Sequence, residues 1–235
     1  MIFREIIVWR CKILVIIRWH GHACFEIIPK IGISIVIDPH DGASIGIEPP
    51  KAKADIVLIT HDHFDHNAYR VVSKPTTQII MSRKGEFSIG PQNAIKVKGI
   101  SAYHDTYRGR RRGSIVMYKL IVDELSILHM GDLGHVLGRE QVNEISHVDV
   151  ALIPVGGTFT IGPEEAWRTL DILRPKVAIP MHYWISGINL PLLSVEEFIG
   201  RASEGWDVKH IASNEVSLTK ETLPERSTVF VLKPP

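Results

Sequence analysis

The chain has 235 residues, 45% of them hydrophobic and 23% charged, with 27 Lys and Arg against 26 Asp and Glu. That length buries a substantial core without staples and suits one domain spanning residues 1–235. A net charge of +1 excludes a global electrostatic bias toward nucleic acid or membrane, so any bias must be local.

Residues 1–11 read as an extra strand or as a poorly placed start. The apolar run 13–17 is bounded by Lys12 and Arg18 and is far too short to cross a membrane. It predicts a strand over 13–19. Further Ile- and Val-rich strands follow at 24–28, 34–37, 56–60, 77–82, 94–98, 114–122, 126–130, 148–155, 176–181 and 228–232, with a hairpin turn at Asp123-Glu124. Several are continuously apolar, as strands covered on both faces are. Helices are fewer. One opens at Gly162-Pro163-Glu164-Glu165 and runs to about Leu173, because Pro and acids both suit a helix start. Ser194-Val195-Glu196-Glu197 has the capping-box pattern and predicts a helix to about Gly205. Others are expected at 138–145 and 67–73. Strands first, then strand–helix–strand units, predict sheets packed face to face with helices outside. Two cysteines, Cys11 and Cys24, cannot build a disulfide framework, so a reducing, cytoplasmic setting is expected.

The chemistry is concentrated in His61-Asp62-His63-Phe64-Asp65-His66, which directly follows the apolar strand Ile56-Val57-Leu58-Ile59-Thr60. Strand ends feeding loops are where a rigid scaffold presents functional groups. Alternation along a strand end would aim His61 and His63 the same way, at one cation. Asp65 and His66, past the bend, would address a second. Imidazole with carboxylate suits zinc, and also manganese or iron. Asp62 and Phe64 are expected to point elsewhere. Six residues cannot close two sites, and three later strand ends offer His104, Asp132 and His182.

The ordered set His61-x-His63-x-Asp65-His66, His104, Asp132, His182 resembles the ligand order of the metallo-β-lactamase-fold hydrolases. The segments Trp19-His20-Gly21-His22-Ala23, Ile37-Asp38-Pro39, Gly131-Asp132-Leu133-Gly134-His135, the run from Ile153 to Pro163 and Ile179-Pro180-Met181-His182-Tyr183 are similar to the branch that includes ascorbate-6-phosphate lactonase. The resemblance implies an α/β (α+β) fold, a four-layer αββα sandwich with the site at one edge of two sheets. It implies two divalent metal ions, zinc first, with manganese or iron as alternatives. His61, His63 and His104 would hold one, Asp65, His66 and His182 the other, and Asp132 would bridge. The flavodiiron branch typically has Glu where this chain has His63, which argues against redox chemistry. Metal-activated hydroxide would then hydrolyse a small anionic ester, lactone or phosphoester, with Asp65 orienting the nucleophile.

Arg108-Gly109-Arg110-Arg111-Arg112 is the strongest local charge. Arg110, Arg111 and Arg112 are expected to clamp a substrate phosphate or carboxylate. His22 is a candidate substrate contact or proton donor. His135 and Asp38 are candidates to steady ligands from behind. Cys24 reads as a buried thiol and His129 as core. The glycines of Gly156-Gly157-Thr158-Phe159-Thr160 read as a sharp bend. The rival function is a nuclease or phosphodiesterase on RNA or DNA; the resemblance counts against it, since large nucleases of that superfamily usually carry an extra domain between the ligands corresponding to Asp132 and His182, and no such insertion fits here.

Overall fold

The computed structural model describes residues 14–235. The expectations for residues 1–11, Cys11 and Ile13 lie outside the described residues.

The chain begins with β1 (Val15–Trp19), β2 (Phe25–Ile28), β3 (Ile35–Ile37), β4 (Ala54–Ile59), α1 (Tyr69–Val72) and β5 (Ser73–Met81). A second run follows: β6 (Gly85–Ile89), β7 (Ile95–Tyr103), β8 (Ser114–Val122), β9 (Leu125–His129), α2 (Arg139–Ile145), β10 (Val150–Pro154), α3 (Pro163–Leu173), β11 (Val177–Met181), α4 (Val195–Ile199), β12 (Asp207–Ile211), β13 (Glu215–Leu218) and β14 (Thr228–Leu232). Among the described residues these strands make two sheets, in the orders β13-β1-β2-β3-β4-β5 and β12-β14-β11-β10-β9-β8-β7-β6.

The layers follow from side-chain alternation. On β4, Ile56 and Leu58 enter the core shared with the second sheet, while Val57 and Ile59 join Val36 and Val72 on the outer side. The shared core unites Phe25 and Ile37 of the first sheet with Val97, Tyr118 and Leu152 of the second. On the far side, α3 packs Ala166, Trp167 and Leu170 into that core. Trp167 stacks on Phe198 of α4 with ring centroids 4.6 Å apart and donates to the Phe198 carbonyl at 2.7 Å. The order α1, sheet, sheet, α3 with α4 is the expected αββα sandwich.

The long apolar runs fold as expected. Strands β9, β10, β11 and β14 are buried along their whole length. In the Asp123-Glu124 hairpin both residues take the left-handed φ that a tight turn between strands demands (45° and 70°). Three strands escape the sequence pattern. The edge strand β12 is largely exposed and reads Asp-Val-Lys-His-Ile, a charged edge with no apolar run. Strands β6 and β13 are only five and four residues long.

The helix expected over 194–205 is corrected to the five residues of α4. The Ser194 side chain makes no capping bond, and Gly200 ends the helix. The chain then turns so that Ser203 and Trp206 Nε1 both donate to the Asp171 carboxylate, an anchor that a continued helix would forfeit.

Strands β3 and β4 run parallel, and so do β9, β10 and β11. Their C-terminal ends therefore meet at one edge of the sandwich, where β7 also ends. Val116 of β8 donates its N–H to the Thr60 carbonyl at 2.9 Å, tying the second sheet to the end of β4.

Candidate metal centre

Each expected ligand emerges where one of these strands ends. His61, His63, Asp65 and His66 follow β4, and His104 follows β7. Asp132 follows β9 and His182 follows β11. The structure gathers them into one cluster. Ligand atoms of His61, His63 and His104 lie within 4.8 Å of one another, as do those of His22, Asp65, His66 and His182. Asp132 sits between the groups. Its Oδ2 is 3.1 Å from His104 Nε2 and 3.4 Å from His182 Nε2, and its Oδ1 is 3.2 Å from His66 Nε2.

His61 and His63 do share a side, with ring centroids 4.4 Å apart, but strand alternation is not the cause. Strand β4 ends at Ile59, and residues 64–66 form a turn closed by His66 and Asn67 N–H groups on the His63 carbonyl. Asp62 points away and accepts from Asn67 Nδ2 at 2.6 Å.

Tautomers follow from the partners. Asp38 is an acceptor, so His66 Nδ1–H donates to its Oδ2 at 3.0 Å. The Thr60 hydroxyl donates to the same oxygen at 2.7 Å, so it accepts the Nδ1–H of His61 at 2.9 Å. Both rings thereby present bare Nε2 lone pairs inward, and both atoms are buried without a hydrogen bond, as are Asp132 Oδ1 and both nitrogens of His182. Buried polar atoms are normally satisfied. Orphans that converge on one point, carried by imidazoles and a carboxylate, fit divalent cations of the zinc type.

Charge points the same way. Asp38, Asp65 and Asp132 are buried, and among the described residues no Lys or Arg pairs with any of them. Burial opposes ionisation of Asp65, but His66 and His22 outweigh it and hold the carboxyl well below its ordinary range. Burial likewise opposes the charge on Asp132, and His182 and His66 overcome it. Burial, aided by neighbouring His66, pushes His61 down to about 3, and burial with His182 does the same to His22. These imidazoles are neutral and free to coordinate. On His66 the balance is opposite: burial resists protonation, but Asp132 and Asp65 raise its pKa well above the ordinary value. The carboxylates demand a cation among them, supplied by a proton on His66 or by metal.

The backbone is strained at the same place. His22, Asp38 and His182 take left-handed φ of 51°, 50° and 53°, a region that costs about 1–3 kcal/mol for a non-glycine residue. The His22 carbonyl accepts from both His182 N–H and Trp19 Nε1–H at 3.0 Å, so the two turns hold each other. The His22 ring lies 4.1 Å from that of His182, and its Nε2 is 3.0 Å from Asp65 Oδ2.

Supporting residues are arranged as follows. His135 accepts from the Tyr103 N–H at 3.2 Å, bracing the strand end that carries His104. His129 donates to the Ala23 carbonyl, accepts from Gly131 N–H and is core. Cys24 is buried and outside the ligand groups, and burial with Asp38 pushes its thiol up. In the Gly156–Thr160 turn, the N–H groups of Gly156, Gly157, Phe159 and Thr160 all bond to backbone carbonyls, so the turn is structural.

The arginine loop is organised by Asp105. Its carboxylate accepts the N–H groups of Tyr107, Gly109, Arg111 and Arg112, which outweigh burial and lower its pKa. Arg111 lies over the Tyr107 ring at 3.7 Å and Arg112 over Phe159 at 4.8 Å. Arg110 and Arg111 are exposed, and Arg112 is half-buried. Sequence reading missed two residues here. Thr60 had only its place before His61 to mark it, and Asp105 only its place before a glycine-punctuated loop.

Comparison with known proteins places the chain in a family. A family profile described as "Beta-lactamase superfamily domain" matches residues 16–182, the span that holds every candidate ligand. A UPF0173 metal-dependent hydrolase of Thermococcus onnurineus is 31% identical over 192 residues, 72% of this chain and 85% of that protein. One from Pyrobaculum islandicum is 33% identical over 192 residues, 71% of this chain and 83% of its own. A crystal structure from Thermotoga maritima, described as a candidate Zn-dependent hydrolase of the metallo-β-lactamase superfamily, superposes with a TM-score of 0.73 at 33% identity, covering 94% of this chain and all of that one. With fold, profile and relatives in accord, the chain belongs to the metallo-β-lactamase superfamily and, within it, to the UPF0173 metal-dependent hydrolases.

Proposed function

We propose that the chain hydrolyses a small anionic ester, lactone or phosphoester at a centre of two divalent metal ions, zinc first, with manganese or iron as alternatives. The observation that carries this reading is the position of Asp132, one carboxylate within 3.4 Å of imidazoles from both halves of the cluster. His61, His63 and His104 would hold one ion, Asp65, His66 and His182 the other, with Asp132 between the two groups. When bound, such a pair supplies a hydroxide nucleophile at neutral pH and polarises the substrate oxygen.

The protein's own residues do the rest. Asp65, kept ionised by His66 and His22, would accept a hydrogen bond from the nucleophile and orient it for attack. His22, hydrogen-bonded to Asp65, would contact the substrate or steady that carboxylate. Asp38 and Thr60 fix the tautomers of His66 and His61. Arg110, Arg111 and Arg112 bias the entrance toward anions, with Arg112 nearest to a fixed position. The free, buried Cys24 fits a reducing, cytoplasmic setting. The fold is read as one domain.

A panel of lactones, phosphomonoesters, phosphodiesters and single-stranded RNA, offered to the metal-loaded protein, tests the reading. Fastest turnover is expected on a small anionic ester or lactone. Preference for RNA over every small substrate, lost on neutralising Arg110 to Arg112, would replace it with the nuclease reading.

A further inference from the structure

We infer that His22 is itself a metal ligand, completing with Asp65, His66 and His182 a closed shell of four donors around one of the two ions. The inference rests on the two-ion reading above and takes His22 beyond its contact with Asp65.

The geometry is that of a shared shell. The His22 ring is buried and comes from the turn between β1 and β2. One ligand atom of His22 lies within 4.8 Å of one from each of Asp65, His66 and His182. Its ring centroid is 4.1 Å from that of His182 and 5.2 Å from that of His66. Its Nε2 is 3.0 Å from Asp65 Oδ2, and His66 Nε2 approaches the same oxygen at 3.5 Å. Bonds of about 2.0–2.2 Å from a tetrahedral ion to nitrogen or oxygen put neighbouring donors about 3.3–3.6 Å apart. His22 therefore stands to Asp65 much as His66 does.

A supporting role alone does not account for this ring. Asp38 shows what a supporting residue looks like. It too has a donor atom within 4.8 Å of those of His61 and His66. Its Oδ1, however, accepts the Thr60 N–H, and its Oδ2 accepts the Thr60 hydroxyl and the outward Nδ1–H of His66. Its lone pairs are spent behind the ligands. His22 has no such partners. Among the described residues its ring has one hydrogen-bond partner, Asp65, which belongs to the ligand group, and its Nδ1 is buried with none. Both nitrogens of His182, the ring beside it, are orphaned in the same way.

The backbone holds the ring in place. His22 takes a left-handed φ of 51° directly after Gly21 at 90°, and its carbonyl accepts the His182 N–H at 3.0 Å. Such strain persists where surrounding contacts over-determine the conformation, as they do at ligand clamps. The other imidazole of this turn serves elsewhere: His20 Nε2 faces Glu26 at 3.3 Å.

The two shells then differ in kind. His22, Asp65, His66 and His182 fill a tetrahedron without help from Asp132, the pattern of a closed zinc site. His61, His63 and His104 supply three donors, the pattern of a site that keeps a position open for water and substrate. Substrate therefore engages the His61, His63 and His104 side, and the His22 side is the anchor.

Magnetic resonance reads coordination directly. In protein loaded with a spin-active cadmium isotope and carrying spin-active nitrogen in its histidines, a ring nitrogen bound to the ion is split by coupling to it. Six imidazoles should show the splitting: His22, His61, His63, His66, His104 and His182. Splitting at the other five with none at His22 overturns the proposal. Absence of splitting at all six would bring down the two-ion reading, and the proposal with it. Chelator competition gives an independent measure. His22→Gln removes the imidazole and keeps an amide donor for Asp65. One ion should bind about a hundredfold more weakly or worse in this variant, at or beyond the about 10- to 100-fold loss typical of a supporting residue, and the other should be unaffected. Affinity close to that of the unmodified protein for both ions would show that His22 only donates to Asp65, and would overturn the proposal.

Discussion

Asp38 never needs to touch a metal ion to govern the centre. Its Oδ2 takes hydrogen bonds from both His66 and the Thr60 hydroxyl, and Thr60 in turn takes the proton of His61. One carboxylate thereby sets the tautomer of a ligand in each half of the cluster. Asp38→Asn places an amide where two donors expect an acceptor, and metal affinity should fall about 10- to 100-fold in chelator competition, with the fold retained. Thr60→Val, which releases His61 alone, should cost less. Unchanged affinity in Asp38→Asn would show that the tautomers are set elsewhere. At this scale the ligands were legible because His61-x-His63-x-Asp65-His66 is dense enough to stand out from any surface loop. Asp38 was legible from the segment Ile37-Asp38-Pro39, through its resemblance to the family. Thr60 was not, because a hydroxyl that relays one proton leaves no pattern in sequence.

The elements bring ligands together by close backbone contact, and glycines permit it. A Cβ on Gly134 would lie 2.2 Å from the His104 backbone, one on Gly156 would lie 2.1 Å from the His182 carbonyl, and one on Gly131 would lie 2.8 Å from the Thr60 hydroxyl. Three glycines after β9 and β10 thus seat the three turns that carry ligands or their partners. Gly134→Ala should destabilise the metal-free protein by about 3 kcal/mol in urea denaturation, because the obstruction is backbone and cannot rotate away. Gly138→Ala, whose Cβ would meet only Gln141 Oε1 at 3.9 Å, should cost no more than about 1 kcal/mol, the loss of a favoured N-cap residue of α2. Equal stability of the two variants would mean that the ligand turns are not locked as described. The same scale explains what sequence periodicity left out. Buried parallel strands announce themselves as apolar runs, whereas β12, exposed and charged at a sheet edge, has no such run to show. The end of α4 depended on Asp171, whose partners Ser203 and Trp206 lie more than 30 residues away in sequence.

Across the whole molecule, two sheets turn the C-terminal ends of their parallel strands to one edge, and the edge collects three buried carboxylates and a ring of imidazoles. The centre was legible in the sequence because its donors are chemically rare and sit at strand ends. Everything proposed about reaction and substrate depends on the claim that the cluster holds a pair of ions bridged by Asp132. Elemental analysis of the purified, reconstituted protein beside its His61→Ala variant tests that claim directly. About two transition-metal ions per chain are expected in the unmodified protein, and at most about one in the folded variant. Fewer than about one ion per chain in the unmodified protein, with no gain on reconstitution, would contradict it.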